Sequence, residues 1–329
     1  MKLARRQFLR LAAATAGLPA LSRVAKAQAY PTRPITMIVP AAAGGSADVV
    51  ARILAERTRQ SLGQSIIIEN VSGADGSIGV GRVARAKPDG YTIGISAMAQ
   101  VLNGAFYSLP YDVLNDFAPV LPLVTVRLML VARKTMLAKD LNELIVWLKA
   151  NPNKASVGIV AVLGRLWLVL FQKETGTQLT LVPYRGFAPA RQDLAAGQID
   201  LVLDVVDALP LVRAGSIKAY AVSSDARLDI APDIPTFREL GLPALSWSGW
   251  YGVFAPRGTP SNVIERLNTA AVEALADPAV RSRLVDLGYE IFPRDRQTPE
   301  ALGALVKADA EKWWPIIKPA GIRGSQPIP

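Results

Sequence analysis

From residue 30 onward the chain alternates short runs of β-branched and other apolar residues with longer stretches in which apolar side chains recur every three or four positions. The first pattern suits buried strands and the second suits helices with one buried face, so the alternation predicts βα units and mostly parallel sheets. Strands are expected near Ile35–Val39, Ile66–Glu69, Tyr91–Ser96, Ser156–Val160, Leu179–Pro183, Ile199–Leu203, Lys218–Val222 and Trp250–Ala255. Helices are expected between them. Ser46–Leu62 sets Val50, Ile53, Leu54 and Leu62 on one face and stops at Gly63, with Ser46 as its N-cap. Asp140-x-x-Glu143 reads as a capping box that opens a helix through Ala150, and Ala188–Ala196 stops at Gly197. Thr259-Pro260 and Thr298-Pro299 each pair an N-cap residue with Pro at the first helical position.

The number of βα units fits two sheets better than one. Asp116–Arg133, with Pro119 and Pro122 between apolar runs, reads as a long extended segment that crosses from one lobe to another, and Ser246–Pro256 as the return. Residues 30–125 with 250–329 would then form a discontinuous first lobe and 126–249 a second. A cleft between them suits hinge closure around a ligand.

Composition narrows the chemistry. At roughly 150 residues per domain, a chain of 329 residues, half of them apolar, holds about two domains with real cores. With no His and no Cys, the usual ligands of zinc, copper, haem and iron–sulfur sites are missing, as is His-dependent nucleophilic machinery; no metal or cofactor is expected. The formal charge of +10 falls unevenly. Lys2, Arg5, Arg6, Arg10, Arg23 and Lys26 surround the apolar run Leu11 to Leu21 with no acid nearby, which predicts a signal peptide at 1–29. That run is shorter than the ~20 residues a membrane span needs. Arg5-Arg6-Gln7-Phe8-Leu9-Arg10 looks like a twin-arginine export signal, with Ala4 where Ser or Thr is usual and cleavage expected after Ala29. The remaining 300 residues carry 31 − 27 = +4, with basic residues scattered, so nucleic acid is not an expected partner. A monomeric periplasmic protein without membrane insertion is expected.

The most informative stretch is Ile35-Thr-Met-Ile-Val-Pro-Ala-Ala-Ala-Gly-Gly-Ser-Ala-Asp48, a strand that runs through a small-residue loop into a helix. Gly44 and Gly45 permit close approach to the backbone, and the unbonded N–H groups of the following helix favour an anion. Asp48 reads as a brace for the loop or a complement to the helix dipole. Gly79-x-Gly81-x-x-Ala84 formally fits a dinucleotide fingerprint, but it follows no strand directly; it reads as a tight loop. Asp204 and Asp207 at a strand end read as one ligand-side acid and one helix cap. Trp313-Trp314 reads as core packing.

The chain resembles a known family on motifs that occur in order along nearly all of it after residue 29. They are Tyr30-Pro-x-x-Pro-Ile, Val39-Pro-x-x-x-Gly-Gly-x-x-Asp48, Lys87-Pro-Asp-Gly-Tyr-Thr92, Leu109-Pro-Tyr-Asp112 with Asp116-Phe-Ala-Pro119, Val182-Pro-Tyr-Arg-Gly186, Gly197-Gln-Ile-Asp200, Asp233-Ile-Pro-Thr236 and Ala255-Pro-x-Gly-Thr-Pro260. The family is the periplasmic substrate-binding proteins of tripartite tricarboxylate transporters, also called the Bug family. The resemblance implies an α/β fold with two lobes, like type II periplasmic binding proteins, closing on a small organic acid through two strand–helix loops. It also implies delivery to membrane permease subunits.

Carried over residue by residue, Ala41, Ala42, Gly44, Gly45, Ser46, Ala47 and Asp48 form the first pincer, although Ala41, Ala43 and Ala47 replace the family's usual Phe, Pro and Thr. Ser96 matches, while the Asn-Gly that often follows is Ala97-Met98. In the second lobe a Gly- and Ser-rich loop ending in Ser-His-Leu becomes Val160-Ala-Val-Leu-Gly-Arg-Leu-Trp167, which places Leu163, Gly164 and Arg165 at the site, Arg165 in the His position. Phe187 stands where the family is small or polar, and beside Asp204 the usual polar residue and Pro become Val205-Val206. These changes add apolar bulk and one guanidinium, which can hold a carboxylate bidentately. A monocarboxylate with an apolar or aromatic body is therefore expected rather than citrate or a small dicarboxylate. The alternatives are a receptor that presents its ligand to a membrane histidine kinase and, in another class, a periplasmic enzyme that uses Asp204 or Asp207.

Overall fold

A computed structural model describes residues 30–318, so the predicted signal peptide at 1–29 lies outside the described residues. The expected alternation is present. Strands β1 (Ile35–Val39), β2 (Ile66–Asn70) and β3 (Thr92–Ala97) alternate with helices α1 (Ser46–Leu62), α2 (Ser77–Ala84) and α3 (Met98–Phe106). The segment from Asp116 to Arg133 is two strands, β4 (Phe117–Val126) and β5 (Leu128–Arg133), joined by Arg127 alone. After α4 (Leu141–Ala150) come β6 (Ser156–Val160), α5 (Ala161–Thr175), β7 (Thr180–Tyr184), α6 (Phe187–Ala195), β8 (Leu201–Val205), α7 (Leu209–Arg213) and β9 (Ile217–Val222). Then follow β10 (Gly249–Pro256), α8 (Ser261–Ala276), α9 (Pro278–Asp286), a short β11 (Glu290–Ile291) and α10 (Pro299–Ile317).

Two sheets result, ordered β11-β4-β10-β3-β1-β2 and β7-β6-β8-β5-β9. The chain passes from the first to the second at Arg127 and has returned by Gly249. The expectation of mostly parallel sheets needs correction. β1 pairs in parallel with β2 and β3, and β6 with β7 and β8, but β10 and β5 run against both of their neighbours, so the sheets are mixed. The exceptions are strands next to the crossings, where the chain enters a sheet from the other lobe rather than through a βα turn.

β5 shows how the layers meet. Leu128, Leu130 and Ala132 face a core that also contains Val39, Ile95 and Val124 of the first sheet, while Met129 and Val131 face Val202, Ala190 and Leu194 on the other side. Both faces of the strand are buried, so it reads as an apolar run without alternation. Trp313 is buried with its ring 5.3 Å from that of Trp247, and Trp314 Nε1 donates to the Val101 carbonyl at 3.0 Å, as the core reading of this pair expects.

Helix ends follow local chemistry, with corrections. Gly63 closes α1 at φ 68°, as expected, but Gly45 is the N-cap and Ser46 the first helical residue. Asp140 accepts from the Glu143 amide at 2.9 Å, whereas the Glu143 carboxylate reaches the Lys139 amide, one residue beyond the box. Thr298 caps α10 through the Ala301 amide at 3.1 Å. Thr259 does not cap α8: its hydroxyl donates to the Pro256 carbonyl at 2.8 Å, and the helix starts at Ser261. Gly79 and Gly81 lie inside α2 rather than in a loop. A Cβ at Gly79 would stand 2.6 Å from the Val71 carbonyl oxygen, so close backbone packing explains this glycine without a nucleotide.

Candidate ligand-binding site

The parallel strands β1 and β3 end at one edge of the first sheet, and β6, β7 and β8 at one edge of the second. Each of β1, β3, β6 and β7 leads into a helix whose N-terminus lies at that edge. Edges of this kind are where α/β sheets meet ligands.

In the first lobe β1 leads through Pro40-Ala41-Ala42-Ala43 to Gly44, held at φ +78° with open space where a Cβ would stand. Conformation, rather than crowding, therefore requires glycine here. The Gly45 amide donates to the Ala42 carbonyl at 3.3 Å and closes the turn. Asp48 braces it from inside. Its carboxylate, only 2% exposed, accepts from the Gly44 amide at 2.9 Å, Arg52 Nε at 2.9 Å and Asn70 Nδ2 at 3.0 Å, while Asn70 also donates to the Ala41 carbonyl. Burial alone would raise the Asp48 pKa; the hydrogen bonds from Arg52, Gly44 and Asn70 outweigh it and hold the carboxyl below its usual range. With Asp48 engaged in this way, the amides of Ser46, Ala47 and Asp48 have no backbone partner among the described residues. They stand at the positive end of a 17-residue helix.

At the end of β3, Ser96 and Ala97 lie opposite Gly252 and Tyr251 of β10. The Ala97 amide donates to Gln100 Oε1 at 2.8 Å, so it is already used. Tyr251 turns back to Ser46, its phenol oxygen 3.3 Å from the Ser46 hydroxyl. Ser96 also lines a partly open apolar cavity of about 30 Å³ with Ile38, Gly79 and Gln100.

In the second lobe the strand-to-helix turn is strained: Ala161, the first residue of α5, has φ +54°. The amides of Ala161, Val162 and Leu163 have no backbone partner among the described residues. Most of the apolar substitutions in Val160–Trp167 face the core: Val162, Leu166 and Trp167 are fully buried, and Trp167 stacks on Phe171 at 4.7 Å. Gly164 is buried against Ile159. Leu163 and Arg165 remain half-buried. Leu163 Cδ2 lies 3.5 Å from where a Cβ on Gly249, the first residue of β10, would stand. Arg165 has no carboxylate within ion-pair distance among the described residues, and its charge reaches the Tyr107 phenol at the end of α3. Tyr107 in turn donates to Asp75.

The structure pairs Asp204 and Asp207 with one guanidinium and corrects the helix-cap reading of Asp207. Asp204 is 0% exposed and is gripped bidentately by Arg191 through Nε and Nη2, both at 2.7 Å, with a third bond from the Val205 amide. Its partner guanidinium comes from α6. Asp207 caps no helix: it pairs with the same guanidinium. Burial raises the Asp204 carboxyl against the pull of Arg191. Burial, opposed by Arg191 and reinforced by the Asp204 charge, pushes Asp207 up to about 6. Phe187, half-buried at the start of α6, has its ring centroid 5.8 Å from the Arg191 guanidinium. The Asp207 charge is felt across the lobes by Tyr251, which burial pushes up to about 12, and by Tyr289, whose buried oxygen has no hydrogen-bond partner.

Arg191, Tyr251 and Asn70, which the sequence did not single out, contact Asp204, Ser46 and Asp48. Arg191 falls one helical turn after Phe187, a spacing visible in the sequence, but its pairing with Asp204 and Asp207 is tertiary. Among the described residues no group of three acidic side chains is placed to hold a metal, and no helix is long and apolar enough to cross a membrane.

The sequence pattern of the tripartite tricarboxylate transporter family receptor matches residues 50–322. A protein encoded in the TAR-I ttuE-ttuC' intergenic region of Agrobacterium vitis is 38% identical over 303 residues, 91% of this chain and 88% of that protein. Protein BugT of Bordetella pertussis is 34% identical over 316 residues, 94% of this chain and 95% of BugT. Among solved structures, MatC of Rhodopseudomonas palustris with bound malate superposes with a TM-score of 0.82 at 35% identity, covering 88% of this chain and 100% of MatC. Rpa4515 of R. palustris with adipate gives 0.83 at 33% identity, covering 89% and 99%. The fold, its two mixed sheets and the family match over most of the chain agree: this chain belongs to the tripartite tricarboxylate transporter family of solute-binding receptors.

Proposed function

We propose that this receptor captures one small organic carboxylate between residues 30–125 with 250–329 and residues 126–249, which close on it as two lobes, and passes it to membrane permease subunits. The observation that carries this reading is the pair of strand–helix turns, one in each lobe, whose first-turn amides at Ser46–Asp48 and Ala161–Leu163 lack backbone partners. Two such N-termini offer donors and positive dipole ends to an anion. Arg165, unpaired among the described residues, adds a full positive charge and a bidentate fork. The relatives with malate and adipate support a carboxylate as the ligand class.

Leu163 and Phe187 are half-buried apolar side chains at the second-lobe helix starts. They favour a monocarboxylate with an apolar or aromatic body over citrate or malate. Nothing in this arrangement calls for turnover, since Arg191 occupies both acids that an enzyme would use. The basic, acid-free first 29 residues with Arg5-Arg6 support export through a twin-arginine route, cleavage after Ala29 and work in the periplasm.

Calorimetry against benzoate-like acids, adipate, malate and citrate tests the ligand class. Benzoate-like acids should bind most tightly; if malate or citrate binds best while benzoate-like acids are inert, the apolar-body reading is wrong. Arg165→Ala should weaken the best ligand by about 10–100-fold, the value of one charge-assisted contact, and leave the unfolding midpoint unchanged. Unaltered affinity in that variant would remove Arg165 from the site.

A further inference from the structure

We propose that the Ser46 hydroxyl and the Tyr289 phenol are two hydrogen-bond donors reserved for the ligand's carboxylate, with Tyr251 as the residue that positions Ser46. This rests on the carboxylate reading above and names the side chains that meet the anion beside the first-lobe amides. Ser46 opens α1 among the amides that lack backbone partners, and it is only 7% exposed. Tyr251 donates to its oxygen at 3.3 Å. A serine hydroxyl has one proton of its own to give, and among the described residues that of Ser46 has no acceptor.

Tyr289 supplies the second unspent proton. It is 5% exposed, and its phenol oxygen is buried with no hydrogen-bond partner. The register of the first sheet relates it to Tyr251: Tyr251 of β10 lies opposite Val124 of β4, Val124 lies opposite Ile291 of β11, and Tyr289 is two residues before Ile291. Side chains two apart along an extended chain share a face, so both phenols stand on one side of the sheet. Ser46 is the polar side chain that both approach, Tyr251 at bonding distance and Tyr289 beyond it. The second lobe lies against this point. Leu163 Cδ2 comes within 3.5 Å of a Cβ position on Gly249, two residues before Tyr251, and a Cβ on Gly288 would stand 2.5 Å from Val206 Cγ1.

Buried donors without acceptors cost stability unless a functional state pairs them. The nearby carboxylates do not fill that role: Asp48 accepts from Gly44, Arg52 and Asn70, and Asp207 is paired with Arg191. An ionised carboxylate accepts at both oxygens. One placed between the two strand–helix turns takes the protons of Ser46 and Tyr289 while the first-turn amides of α1 meet the same group. Tyr251 gives its own proton to Ser46 and so fixes the direction in which the serine donates; it acts on the ligand through Ser46.

Calorimetric titration with benzoate and with adipate, alongside melting temperatures without ligand, tests this in the purified wild type, Tyr289→Phe, Ser46→Ala and Tyr251→Phe. Tyr289→Phe should weaken the tighter acid about 10–100-fold, the value of one bond to a charged group. Its melting temperature should stay or rise, because the hydroxyl removed is buried without a partner. Ser46→Ala should weaken the acid as much, and Ser46→Thr, which keeps the hydroxyl, should recover most of the affinity. Tyr251→Phe should weaken binding on its own and add nothing to Ser46→Ala; additive losses in that double variant overturn its positioning role. Unchanged affinity in Tyr289→Phe or in Ser46→Ala overturns the donor pair and leaves carboxylate capture standing, as does a loss in Tyr289→Phe that comes with a lower melting temperature. If Ser46→Ala does not fold, Tyr289→Phe decides alone. Failure of the wild type to bind either acid overturns the capture reading and the donor pair with it.

Discussion

Arg191→Ala is expected to lose about 3–5 kcal/mol of folding stability at pH 8, the usual cost of breaking a buried ion pair by removing one partner. The cost here arises because two carboxylates depend on one guanidinium. Asp204 has no exposed surface, and without Arg191 it keeps one bond, from the Val205 amide. The sign of the pH dependence follows. Both acids have folded-state pKa values raised above their unfolded values, so keeping them charged in the folded state costs stability above the folded pKa, and protonation relieves that cost as the pH falls through it. Removing Arg191, the one cation paired with them among the described residues, raises both further. The loss should therefore shrink markedly by pH 5, as read by urea denaturation of wild type and variant at the two pH values. A loss below about 1 kcal/mol at pH 8, the ordinary value of an exposed pair, would show that the triad is not buried as described.

The second large effect is expected at Asp48. Asp48→Ala removes the acceptor of bonds from Gly44, Arg52 and Asn70, and with it the part that holds the Gly44-Gly45 turn against the start of α1. A buried acceptor of this kind is worth about 2–3 kcal/mol of stability. Carboxylate affinity should fall at least about tenfold, because the first-turn amides lose their fixed geometry. Asp48→Asn, which keeps the shape and loses the charge, should fall in between. The folded pKa of Asp48 is lowered, so its contribution is complete above its unfolded pKa and is lost as the pH falls through the folded value. The stability gap between wild type and Asp48→Ala should thus be full at pH 7 and narrow only in strong acid. A stable Asp48→Ala protein with undiminished affinity would contradict the bracing role.

These effects also mark where the sequence was readable. Ile35–Val39 and Ser156–Val160 occupy the strands their β-branched runs predict, and Ser46–Leu62 forms the helix its periodicity and Gly63 predict, because short-range pattern and burial agree there. β4 and β5 did not separate from each other. Only Arg127 divides them, both are buried on two faces so neither alternates, and Pro119 and Pro122 argue against a strand. The structure admits these prolines where the β10 register shifts, opposite Phe254 and Gly252, so the ladder loses little by their missing N–H groups. At two residues, β11 is below any pattern.

At the site, the Gly44-Gly45 turn and the brace at Asp48 were legible because they are local. The state of Asp204 was not. A strand-end carboxylate looks the same in sequence whether it meets a ligand or a guanidinium from a helix 13 positions earlier. Of the run Val160–Trp167 the sequence reading places Leu163, Gly164 and Arg165 at the site; helical periodicity buries Val162, Leu166 and Trp167 and leaves Leu163 and Arg165 half-buried.

The central claim is stoichiometric capture without chemistry, and one titration tests it most directly. Purified protein is titrated calorimetrically with a panel of organic acids, and the tightest acid is then recovered from the complex after prolonged incubation. The account predicts one acid bound per chain, released unchanged, with the melting temperature rising with ligand concentration as mass action requires. A panel in which no carboxylate binds, or a bound acid that returns as a different compound, would contradict it.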